Sequence, residues 1–201
     1  NKVIVNNESS EIIRMFNSAF NEVTGNTADF YPEHLRTEID QVNEFVYNNI
    51  NNGVYKTGFA TTQEAYDCNV TSLFSALDSV EETLSNNRYL TGNTLTEADW
   101  RLWVTLVRFD SVYHTHFKCN SRLIEQYSNI YNFMLELYQI PNIAKTVNEA
   151  HIKRHYYASH LSINSYGIVP VSHKQDWTAP HQRDEQFNQL VVSNFKEEVT
   201  A

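Results

Sequence analysis

The residues of this sequence whose types and spacing could do chemistry are a Glu-Ser doublet, several tyrosines, two cysteines and two close histidine pairs. Glu8-Ser9 lies where the apolar run Lys2-Val-Ile-Val5 gives way to the helical spacing of Ile12, Ile13, Phe16 and Phe20. A helix N-terminus presents unpaired N–H groups and a positive dipole end, which suit a carboxylate. Glu8 beside it could hold an ammonium, so the doublet fits the zwitterionic end of an amino acid or peptide, although the same residues also describe an ordinary helix start. Twelve Tyr in 201 residues is unusual. Tyr55 stands in Gly53-Val-Tyr-Lys-Thr-Gly58, read as a loop from which a phenol could enter a cleft, while Tyr113 and Tyr156-Tyr157 each end a helical pattern. A phenol can donate to a carbonyl oxygen, or to a nearby thiolate whose pKa it then lowers. For any single Tyr, amphipathic packing with a wet hydroxyl is the commoner reason for the residue.

Cys68 and Cys119 are too few for a disulfide framework and too far apart for CxxC chemistry, so reduced, cytosolic thiols are expected. Cys119 follows His116 and Lys118, whose charges would favour a thiolate. Cys68 falls inside an amphipathic pattern, where a small buried thiol is usual. His114-x-His116 and His151-x3-His155 have spacings that can bind a metal, but the second pair lacks the Glu of an HExxH site and carries Lys153 and Arg154, which would repel a cation. No metal is expected.

The elements that must position these groups are mostly helices. With 15 basic and 24 acidic residues the formal charge is −9, which argues against coating nucleic acid. A hydrophobic content of 41% excludes a disordered chain, and five Gly with four Pro disfavour a turn-dense β-sandwich. No apolar run is long enough for a membrane helix, so no membrane partner is expected. Asn1 opens without an initiator Met or a signal sequence, and Lys2–Val5 reads as a strand that begins abruptly. A lone strand cannot satisfy its edges, so the chain is expected to begin partway through a larger domain. The polar stretch Asn21–Asp29, ahead of Tyr31-Pro32, marks the expected boundary. Beyond it Leu35, Ile39, Val42, Val46 and Ile50 form one apolar stripe, on a helix that Gly53 should end. Tyr66 to Leu84 repeats the pattern. Thr96 and Asp99 form a capping-box pair, with Leu95 and Trp100 as a hydrophobic staple, ahead of a helix apolar nearly all round that belongs in the middle of a bundle. Further helices are expected over Tyr127–Tyr138, from about Asn142 through Tyr157, and near Arg183–Asn194 after an extended stretch from Asn164 to Pro180. The predicted class is all-α, preceded by a strand-helix remnant of an α/β domain.

Three long motifs carry a resemblance. Ile4-Val-Asn-Asn-Glu-Ser-Ser-Glu-Ile-Ile-Arg-Met-Phe16, Asn52-Gly-Val-Tyr-Lys-Thr-Gly-Phe-Ala-Thr-Thr-Gln-Glu-Ala-Tyr66 and Arg88-Tyr-Leu-Thr-Gly-Asn-Thr-Leu-Thr-Glu-Ala-Asp-Trp-Arg-Leu102 resemble glutathionyl-hydroquinone reductases, the xi-class, omega-like glutathione transferases. Leu106-Val-Arg-Phe-Asp, Val112-Tyr113, His116-Phe-Lys-Cys-Asn120 and His151-Ile-Lys-Arg-His-Tyr156 continue the resemblance in order, to about Pro170. It implies a glutathione-transferase C-terminal helical bundle over 29–201, with an extended tail, and over 1–28 a remnant of the thioredoxin-like, glutathione-binding domain. It implies glutathione as co-substrate, a quinol-type small molecule as the other ligand, a homodimer and a cytoplasmic location. The implied reaction removes glutathione from a glutathionyl-hydroquinone by thiol–disulfide exchange. Glu8 and Ser9 would bind the γ-glutamyl end of glutathione, Tyr55 would serve as proton donor or acceptor at the quinol, and Tyr113 and Tyr156 would lie beside the thiolate. The family's Cys-Pro-Trp-Ala-type motif has no counterpart here and neither Cys68 nor Cys119 matches it, so the isolated chain is expected to be inactive. Ile163-Asn-Ser-Tyr-Gly-Ile168 departs from the family's Asn-Pro-Thr-Gly stretch. The alternative is a non-catalytic glutathione-transferase-like interaction module.

Overall fold

The structure is a computed structural model that describes residues 3–187. Its helices are α1 (Ser9–Ser18), α2 (Asn21–Thr24), α3 (Arg36–Val46), α4 (Asn52–Gly58), α5 (Gln63–Asn86), α6 (Glu97–Arg108), α7 (His114–His116), α8 (Ser128–Gln139), α9 (Glu149–Ser159) and α10 (Arg183–Phe187). Two π-helical turns, Tyr47–Asn51 and Phe109–Tyr113, join α3 to α4 and α6 to α7. In the bundle α4 packs on α5, α3 on α6, and α8 on both α5 and α6.

The all-α bundle is as expected, but the strand is not. Val3, Ile4 and Val5 are exposed and belong to no strand, and among the described residues the one bridge outside the helices is an isolated pairing of Tyr89 with Gly92. Lys2 lies outside the described residues. β-branched residues become a strand only when a neighbour takes their N–H and C=O groups, and none does so among the described residues. The strand-helix remnant is therefore corrected to a helix alone.

Gly53 does not end the second expected helix. The chain stays helical through the π turn to Gly58, so Tyr55 sits on α4 and not on a loop. Gly53 is buried at the α4–α5 contact, where a Cβ would stand 3.3 Å from the Leu73 side chain. Its missing side chain allows the helices to approach, which offsets the poor helix propensity of Gly. The long stripe on α5 buries Leu73, Phe74, Leu77, Val80 and Leu84.

The capping box at α6 is present: Asp99 Oδ2 accepts from the Thr96 backbone N–H at 2.8 Å. The other carboxylate oxygen accepts from Leu90 N–H at 2.8 Å, which ties the preceding turn to the same side chain. Trp100 packs edge-on against Phe30 and Trp103. α6 buries Leu102, Trp103, Leu106 and Val107, while Val104 on the remaining face is 45% exposed. The helix expected from Asn142 breaks at Val147, and α9 starts after Asn148, whose side chain accepts from His151 N–H. The tail is fastened across α8: Trp177 stacks on Tyr138, and Gln139 Nε2 donates to the Trp177 and Ala179 carbonyls. Of the last expected helix, Arg183–Phe187 is formed and the remainder lies outside the described residues.

Candidate functional site

α6 holds the site together, because its half-exposed face is the floor of a cleft of about 1120 Å³. The cleft is lined at one end by Glu8 and Ser9 of the α1 N-terminus and at the other by Tyr55, Tyr113 and Tyr156. The Ser10 carbonyl accepts from Arg101 on α6 at 3.5 Å. Arg101 lies seven residues before Arg108, roughly 10 Å along the helix axis, and the α6 terminus leads into the turn that carries Tyr113. The five site residues expected from the sequence thus share one cavity.

The three phenols form a chain of hydroxyls. Tyr156 OH lies 2.8 Å from Tyr55 OH and 2.8 Å from Tyr113 OH. Each phenol has one proton to donate. Two protons serve the two internal bonds, and the third is available to a ligand. Tyr113 and Tyr156 are buried, whereas Tyr55 is 39% exposed, so Tyr55 is the hydroxyl that meets the cavity. Burial and the hydrogen bond to Tyr156 push the Tyr55 pKa up to about 12. Tyr113 is pushed up as well, by burial first and then by its phenol neighbours. Both are protonated at neutral pH and act as donors.

Phe117 is the packing centre of this group. It stacks on Tyr113 with centroids 5.4 Å apart and rings 9° from parallel, and it contacts Tyr55 and Tyr156 at 5.1 and 6.0 Å. Phe117 can approach α4 because residue 58 is Gly; a Cβ there would fall 2.3 Å from the Phe117 ring. Both π turns face the cavity: Tyr47 and Asn51 line it from one and Tyr113 from the other. Asn51 Nδ2 donates to the Arg101 carbonyl and to Thr105 Oγ1, which fixes the first turn against α6.

α1 buries no residue and is held by polar contacts. Arg14 donates to Glu97 at 2.8 and 3.1 Å and to Asp40 at 2.5 Å, and lies 3.8 Å over the Tyr31 ring. Glu97 is buried and also accepts from Asn43 at 2.8 Å. The sequence carries no local signal of this network, because Arg14 and Glu97 are 83 positions apart. The N-cap residue Glu8 makes no side-chain cap, and its carbonyl accepts from Glu11 and Ile12, so the N–H groups of Ser9 and Ser10 keep their capacity for a ligand.

The cysteines and histidines fall elsewhere. Cys119 is fully buried, and desolvation pushes its pKa up to about 12, outweighing the neighbouring Lys118 charge. Cys68 is exposed on α5 and does not line the cleft. Neither spaced histidine pair forms a site. His116 instead meets His160, ring nitrogens 3.1 Å apart, while His151 and His155 are exposed. Burial first, then His160 and Lys118, lower the His116 pKa to about 4. Among the described residues no group of three or more His, Cys, Asp or Glu is disposed to hold a metal ion. No described helix is long and apolar enough to cross a membrane.

Comparison with known proteins gives this geometry a context. Residues 63–135 match the family model described as "Glutathione S-transferase, C-terminal domain". Over 187 residues the chain is 54% identical to "Glutathionyl-hydroquinone reductase YqjG" of Escherichia coli, an alignment that covers 93% of this chain and 57% of that protein. The glutathione-bound structure of that protein superposes with a TM-score of 0.90 over 92% of this chain and 60% of its own. A xi-class glutathione transferase from Natrialba magadii superposes with a TM-score of 0.88 at 49% identity, over 91% of this chain and 56% of that one. The chain therefore spans less than two thirds of the length of these relatives.

Proposed function

From the premise that this chain carries the helical C-terminal domain of the glutathionyl-hydroquinone reductases, the xi-class glutathione transferases, we propose that its cleft binds a glutathione conjugate of a hydroquinone and assists removal of the glutathione. The observation that carries this reading is the hydroxyl chain Tyr55–Tyr156–Tyr113 in one cavity with the α1 N-terminus. A tripeptide conjugate can put a carboxylate on the backbone N–H groups of Ser9 and Ser10 and an ammonium against Glu8, with its sulfur and ring at the phenols.

In the reaction a cysteine thiolate attacks the glutathione sulfur, the bond from that sulfur to the aromatic carbon breaks, and the carbon takes a proton. The quinol leaves, and a second glutathione reduces the mixed disulfide. The ring carbon is reduced and the thiols are oxidised, so two glutathione sulfurs end as one disulfide. Tyr55 donates to the quinol oxygen as negative charge develops there, a stabilisation preorganised by the surrounding ring packing. Tyr113 and Tyr156 supply the donor chain behind it and lie on the side from which the thiolate approaches. Neither Cys119, whose thiol is buried and held neutral, nor Cys68 is that nucleophile. Residues 1–28 belong to the glutathione-binding side and 29–201 to the helical domain. The active form is a homodimer in the cytoplasm, and light scattering of the purified protein tests the dimer.

Calorimetric titration of the chain with a glutathionyl-hydroquinone tests the site. Binding that weakens severalfold in Tyr55→Phe and in Glu8→Gln supports it. Saturable binding unaffected by both variants refutes it, and no binding at all favours a non-catalytic interaction module.

A further inference from the structure

Four of the ionic side chains that line the cleft satisfy one another: Arg14 pairs with Asp40 and Glu97, and Arg101 lies 3.3 Å from Glu97. Arg108 does not take part. It is the last residue of α6, it lines the cleft beside the phenols, and among the described residues no carboxylate stands within ion-pair distance of it. Its one hydrogen bond runs back to the Val104 carbonyl, an ordinary use of an arginine in a last helical turn. That bond takes one of five N–H donors. A partly buried arginine with donors to spare, next to the one phenol proton that the hydroxyl chain leaves free, makes this end of the cavity a place where an anion is doubly favoured. The Arg108 charge also favours the ionised forms of Tyr55 and Tyr113, which places it within electrostatic reach of both phenols.

We propose that Arg108 determines specificity by recognising an anionic oxygen, a carboxylate or an ionised hydroxyl, on the aromatic ring held against Tyr55, Tyr113 and Tyr156. The preferred ligands are then acidic quinols over neutral ones of the same shape. A purely structural role, closing the end of α6 through Val104, would affect every ligand alike.

The inference rests on the quinol reading of the cleft, and the test separates the two. The chain is titrated with hydroquinone and with 2,5-dihydroxybenzoate, following tyrosine and tryptophan fluorescence, as wild type, Arg108→Gln and Arg108→Lys. The expected result is tighter binding of the dihydroxybenzoate to the wild type, a loss of about tenfold for that ligand in Arg108→Gln, and hydroquinone binding within twofold throughout. Arg108→Lys keeps most of the preference because it keeps the charge. Unchanged hydroquinone binding also shows that the variant is folded. Equal affinities for the two ligands in the wild type, or equal losses for both in Arg108→Gln, overturn the inference and leave the quinol site standing. Failure of the wild type to bind either ligand overturns the inference, while the quinol reading itself stands or falls on the titration with a glutathionyl-hydroquinone.

Discussion

Tyr156→Phe is the sharpest perturbation of the hydroxyl chain, because the one oxygen it deletes serves two partners. The consequences differ between them. Tyr55 is 39% exposed and can turn to water, so its lost bond costs at most about 0.5 kcal/mol. Tyr113 is 2% exposed and stacked on Phe117, so its hydroxyl is left with no acceptor and carries the desolvation penalty of an unsatisfied buried group, about 1–3 kcal/mol. The expected destabilisation is therefore about 1.5–3.5 kcal/mol, a fall in Tm of roughly 3–14 °C for a chain of this size. Tyr113→Phe leaves the Tyr55–Tyr156 bond in place and should cost less, about 1 kcal/mol. The Tyr113→Phe/Tyr156→Phe double variant removes the orphaned hydroxyl, so it should be no less stable than Tyr156→Phe alone. Urea denaturation of the four proteins closes a double-mutant cycle. Strict additivity of the two single effects would refute the reasoning, since it would mean that the two hydroxyls do not depend on each other.

The remaining expectations follow from packing and burial. Gly58→Ala should destabilise by more than 2 kcal/mol in a urea melt, although helix propensity alone favours Ala by about 1 kcal/mol, because the new Cβ would stand 2.3 Å from the buried Phe117 ring. Arg183→Met should cost about 3–5 kcal/mol by the same measurement. The Arg183 guanidinium is fully buried, donates to the Leu84, Asn87 and Arg88 carbonyls, and lies 3.3 Å from Glu136. Acidification should destabilise the wild type through His116. Its folded pKa, about 4, is below its unfolded value near 6.5, so this contribution is fully present above pH 6.5 and is lost as pH falls through 4. The slope is at most about 1.4 kcal/mol per pH unit, and it should be shallower in His116→Gln when stability is measured across that window.

Helix positions could be read from the sequence wherever a local pattern fixed them: the Thr96–Asp99 box, the α5 stripe and the end of α8 before Pro141 all lie within a few residues of expectation. The failures share a physical origin. Val3–Val5 has the composition of a strand, but strands are made by partners and not by composition. Gly53 has the identity of a helix stop, yet the helix continues, and the glycine serves instead as a close contact with Leu73, twenty positions away. With the helix continuing past Gly53, Tyr55 stands on α4 and not on a loop. The phenols were identifiable as candidates, but their hydroxyl chain was not, because it joins residues 101 and 43 positions apart. Arg14, Glu97 and Arg183 left no local trace for the same reason.

The composition of α6 links the fold to the site. An all-round apolar helix is ordinarily read as buried on every side, and that reading placed α6 in the core. Here the apolar circumference serves two surfaces: Leu102, Leu106 and Val107 face the bundle, while Val104 and Trp100 face the cleft. The same helix carries Glu97, which anchors α1 through Arg14, and ends at Arg108, from which the π turn delivers Tyr113. A shift of α6 along its axis would therefore move the α1 N-terminus and Tyr113 together, and would pull Tyr113 away from Tyr156 on α9. Rotation about the axis would break Arg14–Glu97 and bury Val104. The buried capping box opposes that rotation, because Asp99 is held by both Thr96 and Leu90 and cannot turn without leaving two backbone N–H groups unpaired. The local N-terminal signal that was plainest in the sequence thus sets the register of the cavity roughly two turns further along the helix.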